Sequence, residues 1–84
     1  MRLTIFSKPG CHLCDEMKTT VHRVLSTHAS GTSIPVDEID ISNDATLLER
    51  YGLEIPVLLI DGKKVAKYRV SEAELRRMLS RRRG

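Results

Sequence analysis

The protein has 84 residues, of which 40% are hydrophobic and 30% are charged. This length and composition exclude a second domain and disorder over the whole chain, so we predict one domain over residues 1–84. The net charge of +3 is uneven: residues 69–84 hold six arginines and two glutamates, which predicts a basic C-terminal tail over residues 81–84.

The first half of the chain is predicted to form a strand, a helix and a second strand. A β-prone run over residues 2–6 ends at Pro9 and Gly10, which break a strand and turn the chain. A loop over residues 29–33 and a strand over residues 34–41 follow the helix, which indicates a right-handed parallel β-α-β unit. The helix itself is indicated by side chains at helical spacing on one face: Leu13, Met17, Val21, Val24, Leu25 and His28.

The second half is predicted to form a short helix, a hairpin and a last helix. Ser42 to Asp44 offer caps for the short helix, and Gly52 suits a left-handed residue just past its end. Two β-prone runs flank Asp61-Gly62, a strong signal for a two-residue turn between antiparallel strands. The last helix has a capping box of Ser71 and Glu74, an apolar staple of Val70 with Leu75, and a buried stripe of Leu75, Met78 and Leu79.

These elements occur in the order β-α-β-α-β-β-α, with no internal repeat. A four-stranded mixed sheet with helices on both faces would bury the apolar residues of all seven elements. The predicted fold class is therefore α/β.

Apolar runs and the N-terminus bear on the compartment. The longest apolar run, Ile55–Ile60, is too short to cross a bilayer, and the N-terminus lacks the apolar core of a signal peptide. We therefore predict a cytoplasmic protein with no membrane partner. In that reducing compartment a lasting structural disulfide is unusual, so two neighbouring cysteines are expected to react or to bind metal.

Both cysteines, Cys11 and Cys14, lie three residues apart where the first helix is predicted to start. At this spacing two thiols can form a disulfide with little backbone movement. The positive end of the helix favours the thiolate of Cys11 over that of Cys14, which lies further inside the helix. We predict that Cys11 is the attacking thiol and Cys14 the resolving thiol. Lys8 and, when protonated, His12 would add to the effect of the helix, whereas Asp15 and Glu16, good helix-start residues, would oppose it if their carboxylates lie near the sulfur.

The stretches SKPGCHLCDE, DIS and YGLEIPVLLIDG resemble the glutaredoxin branch of the thioredoxin fold, and look most like the small bacterial glutaredoxin-like proteins. The resemblance covers nearly the whole chain, with the two-cysteine motif after the first strand and a proline at the entry to the third. It implies a thiol-disulfide oxidoreductase of cell redox homeostasis. Its partners would be protein or low-molecular-weight disulfides, and it would be a monomer with no tightly bound cofactor.

The same resemblance implies a substrate-binding set around the cysteines. Ile55-Pro56 would be a cis peptide facing the cysteines, with the Ile55 backbone free to pair with substrate. Lys8, Arg69 and the backbone of Ser71 would receive a carboxylate of glutathione, the candidate co-substrate. His12 would tune the sulfur. The chain departs from the family pattern at His12-Leu13, where an aromatic residue is usual, and at residues 68–71, where a glycine pair is usual.

Four alternatives remain open at this point. The cysteines could be half of a zinc site, although only three histidines remain as further nitrogen ligands. A dimer could share an iron-sulfur cluster through Cys11. The domain could also be an adaptor in which the cysteines are incidental. The arginines from Arg76 to Arg83 could contact nucleic acid, but we favour a solvated helix end, because no aromatic platform accompanies them.

Overall fold

The computed structural model describes residues 1–28 and 33–81. Three helices and four strands alternate in the predicted order, so the predicted α/β class with a four-stranded mixed sheet is confirmed. The elements are β1 (Leu3–Ser7), α1 (His12–Thr27), β2 (Val36–Asp40), α2 (Ala45–Tyr51), β3 (Val57–Ile60), β4 (Lys63–Lys67) and α3 (Glu72–Arg81). Most of the predicted loop over residues 29–33 lies outside the described residues.

The sheet has the strand order β2-β1-β3-β4. Strand β1 pairs parallel with β2 and antiparallel with β3, and β3 pairs antiparallel with β4. In the register Phe6 is opposite Val57, and Val57 is opposite Lys67. The end of β1, the start of β3 and the end of β4 therefore meet at one end of the sheet.

Side-chain alternation along the two central strands divides the core into two apolar clusters. Leu3 and Ile5 of β1 join Leu58 and Ile60 of β3 on the face covered by α1 and α3. The intervening residues face α2, where the cluster comprises Phe6, Ile41, Val57 and Leu59 with Leu47, Leu48 and Tyr51 packed against it. Because β3 has neighbours on both faces, all four of its residues are buried.

Helix α1 buries four residues of the predicted stripe together with Cys14, whereas Leu13 and His28 at its two ends are only half-buried. Its buried residues are Cys14, Met17, Val21, Val24 and Leu25. Helix α3 buries Leu75 and Leu79, whereas Met78 of the predicted stripe is only partly buried. The capping box forms as predicted: the Glu74 N–H donates to Ser71 Oγ at 3.0 Å, and the Ser71 N–H donates to Glu74 Oε1 at 3.3 Å. Local sequence signals thus account for the start of this helix.

The hairpin turn also follows its sequence signal. Asp61 and Gly62 have φ values of 50° and 84°, the positive values that a two-residue turn of this kind requires. The prediction for Gly52 is wrong, because Gly52 has φ −56° and ψ −30°, in the right-handed region. Its N–H continues the helical bonding by donating to the Leu48 carbonyl at 2.8 Å, and a Cβ at Gly52 would crowd that same oxygen.

Strand β2 is shorter than the predicted 34–41 and forms one edge of the sheet. Ile41 leaves the strand and is buried in the α2 cluster, while Ile39 stays 37% exposed at the edge. No helix within residues 1–28 and 33–81 is both long and apolar enough to span a membrane.

Candidate functional site

The two cysteines lie at the N-terminus of α1 and are joined by a disulfide with a Cα–Cα distance of 5.2 Å. This separation is in the usual range for disulfides. Cys11 is the N-cap residue, with extended backbone, and its Sγ accepts the N–H of Cys14 at 3.1 Å. The turn into this position is made by Gly10, whose φ is 76°. The local sequence Pro9-Gly10 thus lets the chain reverse and present Cys11 at the helix start.

The two sulfur-bearing residues differ in accessibility. Cys14 is 1% exposed and belongs to the buried face of α1, whereas Cys11 is half-buried at the rim. An N-cap sulfur lies against the unpaired N–H groups and the positive end of the helix dipole, which favour its thiolate form. Cys11 is therefore more accessible to an external molecule than Cys14.

Ile55 and Pro56 lie at the same end of the sheet as the cysteines. The bond between them is cis, as the resemblance implies. Pro56 immediately precedes Val57, which pairs with Phe6, so it lies beside the end of β1 from which the chain continues to Cys11. Pro56 is buried, and the partly buried Ile55 packs against the α2 cluster.

A groove of about 320 Å³ runs between α1 and the segment that links β4 to α3. Leu13, one of the two residues between the cysteines, lines it on the side of α1, and Arg69 and Ser71 line it on the side of the β4–α3 segment. The structure thus brings two predicted binding residues into one groove with Leu13, the residue before Cys14. The remaining lining residues are Glu16, Met17, Thr20, Tyr68, Val70 and Glu74.

His12 faces a separate depression on α1, which it shares with Asp15, Glu16 and Arg23. Lys8 lies between β1 and Cys11 and is half-buried, outside both of these hollows. The predicted binding residues therefore surround the cysteines without lining one common pocket. Their roles in binding stay predictions.

Comparison with known protein families shows the family of this chain. A model of the "Glutaredoxin-like domain (DUF836)" matches residues 2–80. The chain belongs to this glutaredoxin-like family. The "Glutaredoxin-like protein YDR286C homolog" of Dictyostelium discoideum is 27% identical over 77 residues, which are 89% of this chain and 71% of that protein.

Solved structures agree on the fold of this glutaredoxin-like chain. The crystal structure of structural-genomics target protein XcR50 from X. campestris has a TM-score of 0.73 at 26% identity, with 96% of this chain and 99% of that one covered. Thioredoxin 1 from Thermosipho africanus has a TM-score of 0.64 at 17% identity, with 96% and 92% covered. The second likeness concerns the fold alone, and both place the glutaredoxin-like chain in the thioredoxin fold.

In the described part of this glutaredoxin-like chain, potential metal ligands are not grouped into a site. Within residues 1–28 and 33–81, no three side chains among His, Cys, Asp and Glu are grouped so that they could hold a metal ion. His22 Nε2 lies 3.3 Å from Glu38 Oε2, an ion pair across α1 and β2 when the histidine is protonated. At the C-terminus Arg76 pairs with Glu72 at 3.6 Å, and residues 82–84 of the predicted basic tail lie outside the described residues.

Sequence reasoning did not include Tyr68 among the residues of the site. Tyr68 has φ 67°, and its hydroxyl donates to the Leu53 carbonyl at 3.2 Å. Its N–H donates to the Pro56 carbonyl at 2.8 Å. No sequence signal identifies this arrangement, since tyrosine has no preference for positive φ. Glu16 and Glu74 were likewise assigned to helix starts, although both line the groove.

Proposed function

We propose that this protein is a thiol-disulfide oxidoreductase that works through the Cys11–Cys14 couple. The observation that carries the proposal is the unequal accessibility of two sulfurs joined at the start of one helix: Cys11 is at the rim and Cys14 is 1% exposed. An attacking thiol must meet an external disulfide, whereas a resolving thiol needs to reach only the attacking sulfur.

In the reducing direction the Cys11 thiolate attacks one sulfur of a substrate disulfide. A Cys11–substrate disulfide forms, and the first substrate thiolate leaves and takes up a proton. Cys14, after losing its proton to solvent, attacks the Cys11 sulfur, which re-forms the intramolecular disulfide and expels the second substrate thiolate. Two electrons pass from the couple to the substrate, and a thiol reductant then returns the couple to the dithiol.

The Cys14 N–H has a direct role in this scheme. It donates to Cys11 Sγ at 3.1 Å, and together with the helix dipole it stabilises negative charge on that sulfur. Cys11 is therefore the better nucleophile of the two at neutral pH. Lys8, two residues before Gly10, adds a positive charge to the same region.

The partners of this reaction are proposed from the same site. Protein disulfides and low-molecular-weight disulfides are the substrates, and glutathione is the candidate reductant. Lys8 and Arg69 are the cations that would receive a carboxylate. The Ser71 N–H, the third predicted carboxylate donor, already donates to Glu74, which weakens its part in binding. We propose a monomer that needs no tightly bound cofactor, working in electron transport in the cytoplasm, where thiol reductants are plentiful.

The test is a redox titration of the purified protein. The protein is equilibrated in glutathione buffers of graded ratio, free thiols are alkylated, and the products are read by mass spectrometry. A transition that consumes both thiols together supports the proposal and gives the reduction potential of the couple, and a glutathione adduct on Cys11 identifies glutathione as a substrate. Thiols that stay reduced at every ratio would contradict it and favour an adaptor.

Two cysteine variants assign the roles. Cys11→Ser is expected to abolish disulfide reduction, because no other thiol is accessible. Cys14→Ser is expected to accumulate mixed disulfides with Cys11, since the resolving step is lost. Wild-type activity in Cys11→Ser would refute the assignment of the nucleophile.

A further inference from the structure

Tyr68 has a backbone conformation that its residue type disfavours. Its φ is 67°, and among the described residues only one other non-glycine residue, Asp61, has a positive value. The Arg69 N–H donates to the Lys67 carbonyl at 2.8 Å, two residues back, so Tyr68 is the central residue of a γ-turn with positive φ. Such turns are rare and strained, and a bulky residue at positive φ is an outlier.

Packing does not account for a tyrosine at this position. Tyr68 is 43% exposed, and its ring lies 5.5 Å from Lys67 Nζ at the surface. A glycine or an asparagine could make the same turn with less strain. Strained residues persist where the surrounding structure requires them, and they are concentrated in functional sites.

The conformation of Tyr68 has a consequence for the region around the cysteines. Its hydroxyl holds the Leu53 carbonyl, and its N–H holds the Pro56 carbonyl, so Tyr68 fixes the segment that enters β3. The same residue lines the groove that Leu13, the residue before Cys14, also lines. Tyr68 therefore links two surfaces, one at residues 53–56 and one at the groove.

The chemistry of these surfaces indicates what they bind. Leu53, which is 93% exposed, is the apolar side chain at residues 53–56. Leu13 is the apolar side chain in the groove, and the ring of Tyr68 is the third, on the residue that links the two surfaces. A polypeptide gains about 3.3 Å of length per extended residue, so the chain on either side of a substrate cysteine can cover more of both surfaces than a small disulfide can.

We propose that Tyr68 is a positioning residue for substrate binding, which selects polypeptide disulfides over small ones by holding residues 53–56 and the groove in one continuous surface. This inference rests on the proposed function. The substrate is a protein whose disulfide is flanked by extended chain with apolar side chains.

The experiment compares three variants of the full chain with dithiothreitol as reductant, insulin as the protein disulfide and oxidised glutathione as the small one. Tyr68→Gly removes the strain together with the ring and the hydroxyl. Tyr68→Phe removes only the hydroxyl. Asp61→Gly is the matched control, because it relieves positive φ at the opposite end of the sheet.

For Tyr68→Gly we expect a rise of roughly three- to tenfold in KM for insulin, the loss of about one contact, and a fall in the kcat/KM ratio of insulin over oxidised glutathione. The melting temperature should stay equal or rise, because the strain is gone. Tyr68→Phe should show a smaller rise in KM, and Asp61→Gly should leave the ratio as in wild type. The reduction potential should not move in any of the three.

A positioning role predicts that the melting temperature stays equal or rises while the selectivity for insulin falls, and a packing role does not. An unchanged insulin KM in Tyr68→Gly would overturn the proposal, and so would a lower melting temperature with equal losses on both substrates. If Tyr68→Gly does not fold, Tyr68→Asn, which tolerates positive φ, is measured in its place under the same criteria. A wild-type protein that reduces neither substrate would refute the proposed function itself and this inference with it.

Discussion

The two ends of the β3–β4 hairpin both contain a non-glycine residue with positive φ, and the reasons differ. At the turn, Asp61 has φ 50° and its Oδ1 accepts the Arg2 N–H at 2.8 Å. Aspartate tolerates this conformation, and the Asp-Gly pair makes the turn that the strands need. At the other end, Tyr68 adopts φ 67° in the γ-turn that follows β4, where no local preference of its residue type favours it.

The comparison separates two kinds of backbone outlier. The turn end serves the fold, since a two-residue turn with positive φ matches the twist of its strands. The cysteine end carries exposed apolar residues, a groove and the accessible sulfur of Cys11. Changes at the turn should therefore alter stability alone, while changes at the cysteine end should alter activity as well.

The largest expected effect is on the stability of the strand that joins the two ends. Leu58 of β3 is fully buried between α1 and α3. Leu58→Ala should lower the free energy of unfolding by about 2–5 kcal/mol, because it leaves a cavity in the strand that joins the two ends. Urea denaturation measures the loss. A change below about 0.5 kcal/mol, the size expected of a surface site, would contradict the packing described for β3.

A matched pair of glycine substitutions tests the comparison most directly. Gly10 has φ 76° and Gly62 has φ 84°, and a Cβ would meet nothing within 4 Å at either position. Gly10→Ala and Gly62→Ala should each cost roughly 1–2 kcal/mol of stability, through backbone strain alone. Denaturation curves of the two variants should nearly coincide.

Their activities should differ. Gly10 directly precedes Cys11, so relaxation of the strained backbone displaces the sulfur, and kcat/KM for disulfide reduction should fall by roughly tenfold. Gly62→Ala should keep wild-type kcat/KM at temperatures where it is folded. Equal activity of the two variants would mean that the ends are not functionally distinct.

The cap of α3 is expected to give an intermediate effect. Ser71 Oγ accepts the Glu74 N–H, and Ser71→Ala should reduce stability by about 1 kcal/mol because one N–H at the helix start loses its partner. Thermal unfolding measures this change. Ser80→Ala, at an exposed position late in the same helix, is the control and should change stability by less than about 0.5 kcal/mol.

The smallest expected effect is a pH dependence at the cysteine end. Glu54 accepts a hydrogen bond from Lys64 Nζ at 2.8 Å, and this bond lowers the pKa of Glu54 below its ordinary value of 4.5. A lowered folded-state pKa stabilises the fold above the unfolded value, and this contribution is lost as the pH falls through the folded value. Exposure and salt keep the contribution small.

Glu54→Gln removes the titrating group. The urea midpoint of the variant should therefore lie below that of wild type at pH 7, and the two midpoints should converge as the pH falls below 4.5. The pKa of Lys64 is raised above 10.5 by the same bond, so its contribution is lost only as the pH rises through that raised value. Asp40 also has a lowered pKa, from its hydrogen bonds with Ser42, and remains in both proteins, so it cancels in the comparison. A difference that persists unchanged below pH 4.5 would contradict the Glu54 assignment.

Sequence alone determined the features that depend on neighbours along the chain. The helical spacing of α1, the Asp61-Gly62 turn, the capping box at Ser71 and the two-cysteine motif at a helix start all occur where local patterns indicated. These signals are reliable because turns, caps and amphipathic stripes are decided within a few residues. The order of the elements and their α/β class follow from the same signals.

Tertiary structure decided the features that need contacts between distant segments. The early end of β2 follows from the place of Ile41 in the α2 cluster. The positive φ of Tyr68 depends on partners at Leu53 and Pro56, and its groove exists only because α1 packs beside the segment before α3. Residue preferences act locally, whereas these conformations are stabilised by hydrogen bonds and packing between parts of the chain that meet only after folding.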